Sequence, residues 1–270
     1  MTRELAGNPF KAALAAGRIQ IGLWQALASP ITAEICAAAG FDWLLIDGEH
    51  GPNDIPTLAA QLRAVAPFAT HAVGRVPIGE VHLVKQYLDL GFQTLLVPMV
   101  ESVAQAERLA RACRYPPDGI RGVGAGLVRA SGYGRIGDYL ARADDEVCLI
   151  VQIETRAGLD ALDGIAAVDG VDGVFIGPAD LAAALGRRGQ PGADVVQDAI
   201  ADAVARIRAA GKPAGALAAD DALVSRYREL GMTFVAVGSD VGLLARGTDE
   251  LATRHGACLA RGARRGDGSY

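Results

Sequence analysis

The chain has 270 residues, 51% of them hydrophobic and 21% charged, with a formal net charge of −5; that is enough apolar material to bury a large core in one domain. The acidic balance argues against a nucleic-acid surface, and no apolar run reaches the roughly 18 residues of a membrane span. No secretory pattern opens the chain, so a cytoplasmic protein is expected.

In chain order, a polar lead and a short helix (MTRELAGNPFKAALAAG) come first. Strand-length apolar runs then recur at Ile19–Trp24, Phe41–Asp47, His71–Pro77, Thr94–Met99, Cys148–Glu154, Gly173–Pro178, Lys212–Ala218 and Phe234–Gly238. Segments with helical spacing alternate with them, among them Ile31–Ala39, Ile55–Ala66, Val81–Leu90, Ala104–Arg114, Val195–Ala210 and Ala222–Leu230. Gly40, Gly91, Gly211 and Gly231 each stand where a helix stops before the next strand. Eight β-α units in about 240 residues favour a closed α/β (β/α)8 TIM barrel over an open doubly wound sheet. One barrel domain is predicted over residues 1–256, followed by a solvated tail over 257–270.

The rhythm breaks once, between Arg114 and Val147, and a long irregular connection is often functional. Its Gly122, Gly124 and Gly126 lack the GxGxxG spacing and follow Tyr115-Pro116-Pro117 instead of a strand, so no dinucleotide site is read there. Cys36, Cys113, Cys148 and Cys258 form no CxxC pair and read as reduced structural thiols.

Charge appears abruptly at the strand ends, where barrel enzymes keep their chemistry. Strand alternation turns Gln152 and Glu154 toward the barrel axis and Val151 and Ile153 toward the helices. Asp180 follows the next strand, which brings a second carboxylate to an adjacent tip. Two carboxylates suit an open divalent site for Mg²⁺ or Mn²⁺, whose remaining positions go to water or substrate. The structural alternatives are an ion pair of Glu154 with Arg156 and an N-cap role for Asp180. Asp47 and His50 close the second strand, and Arg75, buried in an apolar third strand, demands an anionic partner. His50 is the candidate general base, with Asp47 or Asp89 as the carboxylate that orients it. His71, His82 and His255 read as structural. Trp24, Met99 and Leu217 supply apolar walls to the mouth.

The stretches FKAALAAGRIQIGLW, FDWLLIDGEHGPN, KQYLDLGFQTLLVPMV, RYPPDGIRGVG, VQIETRAGLD and VDGVFIGPADL, in order from about Phe10 to Arg254, resemble the HpcH/HpaI family of class II pyruvate aldolases. The resemblance implies His50 as catalytic base, Asp89 as the residue that raises its basicity, and Arg75 as stabiliser of charge on the substrate oxygen. Glu154 and Asp180 would bind the metal (Mg²⁺, Mn²⁺ or Co²⁺) with no organic cofactor, while Gln152 and the backbone of Ala179 would contact substrate. It further implies retro-aldol cleavage of 4-hydroxy-2-oxoheptanedioate to pyruvate and succinic semialdehyde, or the same chemistry on a sugar-derived acid such as a 2-keto-3-deoxy acid or 5-keto-4-deoxyglucarate. A homohexamer, a dimer of trimers with exchanged terminal helices, belongs to the same expectation. No lysine stands at a strand tip, so a Schiff-base route is poorly served.

Overall fold

A computed structural model describes residues 4–218 and 220–256; Cys258 and the predicted tail lie outside them. Eight strands, β1 (Gln20–Gln25), β2 (Trp43–Asp47), β3 (His71–Arg75), β4 (Thr94–Val97), β5 (Cys148–Ile153), β6 (Gly173–Ile176), β7 (Ala214–Leu217) and β8 (Phe234–Ser239), pair in parallel and in sequence order. β8 pairs back onto β1 and closes the barrel. The predicted barrel is therefore what the chain forms.

The helices are α1 (Pro9–Ala15), α2 (Pro30–Ala38), α3 (Ile55–Val65), α4 (Val81–Leu90), α5 (Val103–Ala112) and α6 (Tyr139–Glu146) in the first part. The second part adds α7 (Arg156–Asp160), α8 (Leu162–Ala166), α9 (Pro178–Ala184), α10 (Asp194–Ala209), α11 (Asp221–Glu229) and α12 (Asp240–Arg254). Short polar side chains start most of those that follow a strand. Ser29, Asp54, Ser102, Thr155, Asp220 and Ser239 each accept a backbone N–H from the first turn that would otherwise be orphaned. At the other end, Gly91 closes α4 with φ at 102°, a left-handed conformation that costs glycine little.

Strand alternation divides the apolar residues into two layers. Trp24, Trp43, Leu45, Val73, Leu96, Ile150, Phe175 and Phe234 fill the barrel, while Ile46, Leu95, Val97, Leu149, Val151 and Ile153 face the helices. The interior void is only about 10 Å³, so the barrel is a packed core and not a channel. Its N-terminal end is closed by α1: Phe10 packs on Trp43, Phe234 and His71, with ring centroids 5.8, 5.9 and 5.7 Å apart. Asn8 anchors that plug through its side-chain amide to Thr94 Oγ1 at 3.0 Å and to the Glu146 carbonyl at 3.0 Å. No helix among the described residues is long and apolar enough to cross a membrane.

The long connection between α5 and α6 packs against the last turn of α4, at the end of that helix away from the strand tips. It holds two 3-10 turns, Ala125–Leu127 and Arg129–Ser131. Arg121, 1% exposed, pins it to α4 through Asp89 at 2.9 Å and stacks over Tyr115.

Candidate active site

Parallel register sets Asp47 at the tip of β2 directly beside Arg75 at the tip of β3. Arg75 donates Nε–H to Asp47 Oδ1 at 2.9 Å and Nη2–H to Oδ2 at 2.5 Å. Trp24 Nε1–H donates to Oδ2 of the same carboxylate at 2.9 Å, and the guanidinium lies 4.8 Å over the Trp24 ring. All three side chains are buried. Burial alone would raise the Asp47 pKa, but the bonds and charge of Arg75, with the Trp24 bond, outweigh it and hold the carboxyl below its ordinary range. The anion that Arg75 demands is thus supplied by the protein itself, and Trp24 lies beneath the guanidinium.

Glu49 is the residue that sequence reasoning passed over. Its Oε2 lies 2.7 Å from Arg75 Nη1. The signal was present, because a buried arginine next to an Asp-Gly-Glu-His patch invites a second acidic partner. Burial raises the Glu49 pKa, opposed by Arg75 and His50 and reinforced by Asp47 and Asp180. His50 stands on the outer side of this group with its side chain 70% exposed and Nε2 3.9 Å from Glu49 Oε2.

Across the mouth, Glu154 follows β5 and is 2% exposed. Its Oε1 accepts from Met99 N at 2.9 Å, and its Oε2 accepts from Gln152 Nε2. Met99 makes its bond from a left-handed backbone, φ 56°, an uncommon state for a side-chain-bearing residue and one found at functional sites. Glu154 is pushed up to about 7, first by burial and then by the like charges of Asp180 and Glu49, against the bonds from Met99 and Gln152. Asp180 sits in the first turn of α9, where the helix dipole favours it; Ala179 precedes it. Gly177 makes this closeness possible, since a Cβ there would stand 2.5 Å from Glu154 Oε2. Gln152 Oε1 is buried without a hydrogen-bond partner. Leu217 ends β7, half-buried against the interior cluster.

The charges of Asp180 and Glu49 both push Glu154 upward at one end of the barrel, and a cation beside Glu154 and Asp180 would offset that repulsion. No group of three or more His, Cys, Asp or Glu side chains among the described residues is arranged to hold a metal alone. Two carboxylates with room left for water and substrate match the chemistry of a hard divalent ion, and the unpartnered Gln152 oxygen suits a bound water or hydroxyl.

Two expectations about His50 are not met within one chain. Asp47 spends its carboxylate on Arg75, Trp24 and the backbone N–H groups of Glu49 and His50, so it fixes the His50 backbone and not its ring. Asp89 lies in the last turn of α4, toward the opposite end of the barrel, and pairs with Arg121. The lysines are elsewhere too: Lys11 is in α1, Lys85 in α4, and Lys212 donates to the Val171 carbonyl at 2.6 Å. Two recesses of about 610 Å³ open near residues such as Phe92 and Tyr139, or Phe41 and Phe68, and neither is lined by Asp47, Glu154 or Asp180.

Comparison with known proteins identifies relatives of the chain. A sequence model described as HpcH/HpaI aldolase/citrate lyase matches residues 20–247. A hydroxypyruvate/pyruvate aldolase of Deinococcus radiodurans is 62% identical over 245 residues, covering 91% of this chain and 88% of that protein. A 4-hydroxy-2-oxo-heptane-1,7-dioate aldolase of Salmonella arizonae is 56% identical over 250 residues, covering 93% and 95%. Among solved structures, an HpcH/HpaI aldolase/citrate lyase family protein from Burkholderia cenocepacia superposes with a TM-score of 0.89 at 42% identity, covering 92% of this chain and 99% of that one. Fold, strand-tip chemistry and these relatives converge: the chain belongs to the HpcH/HpaI aldolase/citrate lyase family and is a carbon–carbon lyase of the class II pyruvate aldolase kind.

Proposed function

We propose that this protein catalyses reversible cleavage of the C3–C4 bond of 4-hydroxy-2-oxo acids, releasing pyruvate and an aldehyde, and that 4-hydroxy-2-oxoheptanedioate, giving succinic semialdehyde, is a substrate. The single observation that carries this reading is the buried Glu154 close to Asp180 and to Glu49, the latter paired with Arg75. Cleavage requires the C4 hydroxyl to lose its proton and the C3–C4 electron pair to move onto the C2 oxygen, leaving the enolate of pyruvate. His50, exposed to the mouth, takes the hydroxyl proton directly or through a water. Arg75, held rigid by Asp47, Glu49 and Trp24, presents positive charge where the C2 oxygen becomes anionic. Gln152 and the backbone at Ala179 contact the 2-oxo acid, and Trp24 and Leu217 bound its apolar side.

Glu154 and Asp180 would hold a divalent cation, Mg²⁺, Mn²⁺ or Co²⁺, which supplies positive charge beside the carboxylate and 2-oxo oxygen of the substrate. No organic cofactor is needed. The reading predicts that protein stripped with a chelator loses pyruvate release from 4-hydroxy-2-oxoheptanedioate and regains it on addition of Mg²⁺, Mn²⁺ or Co²⁺. Undiminished release from stripped protein would overturn it. Glu154→Ala should lose metal binding, whereas Arg75→Ala should lose rate and keep the metal.

A second donor is favoured by one observation, the 62% identity to a hydroxypyruvate/pyruvate aldolase. With hydroxypyruvate in place of pyruvate the same bond formation yields sugar-like 3,4-dihydroxy-2-oxo acids, which joins this reading to the sugar-acid alternative. Condensation rates with both donors and with succinic semialdehyde, glycolaldehyde or lactaldehyde would rank them.

The active form is proposed as a homohexamer, a dimer of trimers exchanging terminal helices. In support, only Asp240 of α12 is buried, and Leu243, Leu244 and Leu251 are exposed, as are Ile31 and Ile35 of α2. Asp89 can back a His50 ring only if it comes from a neighbouring copy, so that role is proposed together with the assembly. Free Cys36, Cys113 and Cys148 fit the reducing cytoplasm in which the protein is placed.

A further inference from the structure

We infer that Asp240, just after β8, is a positioning residue for the His50 loop just after β2, acting through the tip of β1 that lies between them. Asp240 is the first residue of α12 and is 5% exposed. Its carboxylate accepts three backbone N–H groups: Ala26 at 2.9 Å, Leu27 at 3.1 Å and Val241 at 2.8 Å. The first two belong to the loop that joins β1 to α2 at the mouth, so one side chain ties the first strand tip to the last.

That loop does not hold its own shape cheaply. Ala28 sits at φ 52°, in the left-handed region that side-chain-bearing residues rarely adopt. Its root is Trp24, whose indole N–H bonds Asp47, the partner of Arg75. Its backbone also meets the loop that carries His50: a Cβ at Gly51 would lie 3.2 Å from the Ala26 carbonyl oxygen. Asp240 therefore acts on the Ala26 backbone, and Ala26 on the turn His50-Gly51. Removing the carboxylate leaves the part-buried N–H groups of Ala26 and Leu27 without this acceptor and lets the strained loop relax away from Gly51. Glu154 is held by Met99 and Gln152, and Asp180 is carried by the first turn of α9, neither of which touches Asp240, so the metal-side carboxylates stay in place. The same residue roots a helix that is otherwise exposed, which makes the mouth sensitive to whatever covers α12.

The inference rests on His50 as the proton-moving residue, and the test includes an arm that does not use turnover. Asp240→Asn and Asp240→Ala would be made in the full chain and loaded with Mn²⁺. Mass by light scattering, thermal midpoint, Mn²⁺ binding, kcat and KM would be measured, together with the rate at which diethyl pyrocarbonate modifies His50, with exposed His82 as internal control. The expected result is a kcat lowered about 10- to 100-fold with KM and Mn²⁺ binding nearly unchanged. The His50 modification rate should shift roughly threefold or more while that of His82 does not. A folded variant with unchanged kcat and unchanged His50 reactivity would overturn the inference, as would a kcat loss that follows mass or thermal midpoint with His50 reactivity unmoved. Should Asp240→Ala not fold, Asp240→Asn, which keeps the shape, decides. If the parent protein released no pyruvate, the proposed reaction would fail, and the His50 reactivity would still judge Asp240.

Discussion

At Gly177 there is no space for even one carbon. A Cβ would stand 2.5 Å from Glu154 Oε2 and 2.9 Å from Gln152 Nε2, so Gly177→Ala must push the Glu154 carboxylate from its place. The expected outcome is a folded protein with Mn²⁺ affinity and pyruvate release each reduced about 100-fold, read by Mn²⁺ titration and a coupled assay. His71 offers a different test. Its Nε2 lies 2.8 Å from Thr94 Oγ1, its ring stacks on Phe10, and burial lowers its pKa to about 4. In the unfolded chain it titrates near 6.5. Between those values the unfolded state takes up a proton that the folded state refuses, so stability falls as pH drops from about 6.5 to 4. The loss approaches about 3 kcal/mol across the full window. Denaturant unfolding across that window should give a shallower pH slope in His71→Gln. Residue identity at the strand tips was readable because Asp, Glu, Arg and Gln contrast with the apolar runs they end. Their partners were not: nothing in the letters says that Trp24 and Arg75 share Asp47, which depends on the register of three strands.

Among the elements, the connection between α5 and α6 is tied down by buried Arg121, paired with half-buried Asp89. Asp89→Asn would leave a guanidinium that is 1% exposed without its counter-charge, a loss of about 3 kcal/mol. The thermal midpoint should fall by about 5–10 °C in a chain of this size. If Asp89 instead serves His50 of a neighbouring copy, activity should fall while the midpoint holds, and one melting curve beside one rate separates the two. The strands were legible to within about two residues at most ends, because a fully buried parallel strand leaves an unbroken apolar run. The short helices α7 and α8, and the two 3-10 turns, were not, since segments this brief leave too little periodicity to detect. The long connection drew notice for its glycines, and its anchor proved to be Arg121.

For the molecule as a whole, the barrel follows from repetition, and the eight alternations announce it. Assembly does not follow in the same way. The leucines of α12 mark an apolar face, but periodicity says only that the face is to be covered and not by which molecule. Leu244→Asp, together with Leu251→Asp, should convert a hexamer into smaller species by light scattering, with the barrel itself intact by circular dichroism. A wild-type protein that already ran as a monomer would remove the exchanged-helix proposal.

Ring closure also dictates when the mouth can exist. Ala26 and Asp240 meet although 214 positions separate them, and β1 waits for β8. A nascent chain still short of its last strand displays two unpaired sheet edges, which are prone to mispairing. Catalytic competence must then wait for the eighth strand, so ring closure precedes chemistry.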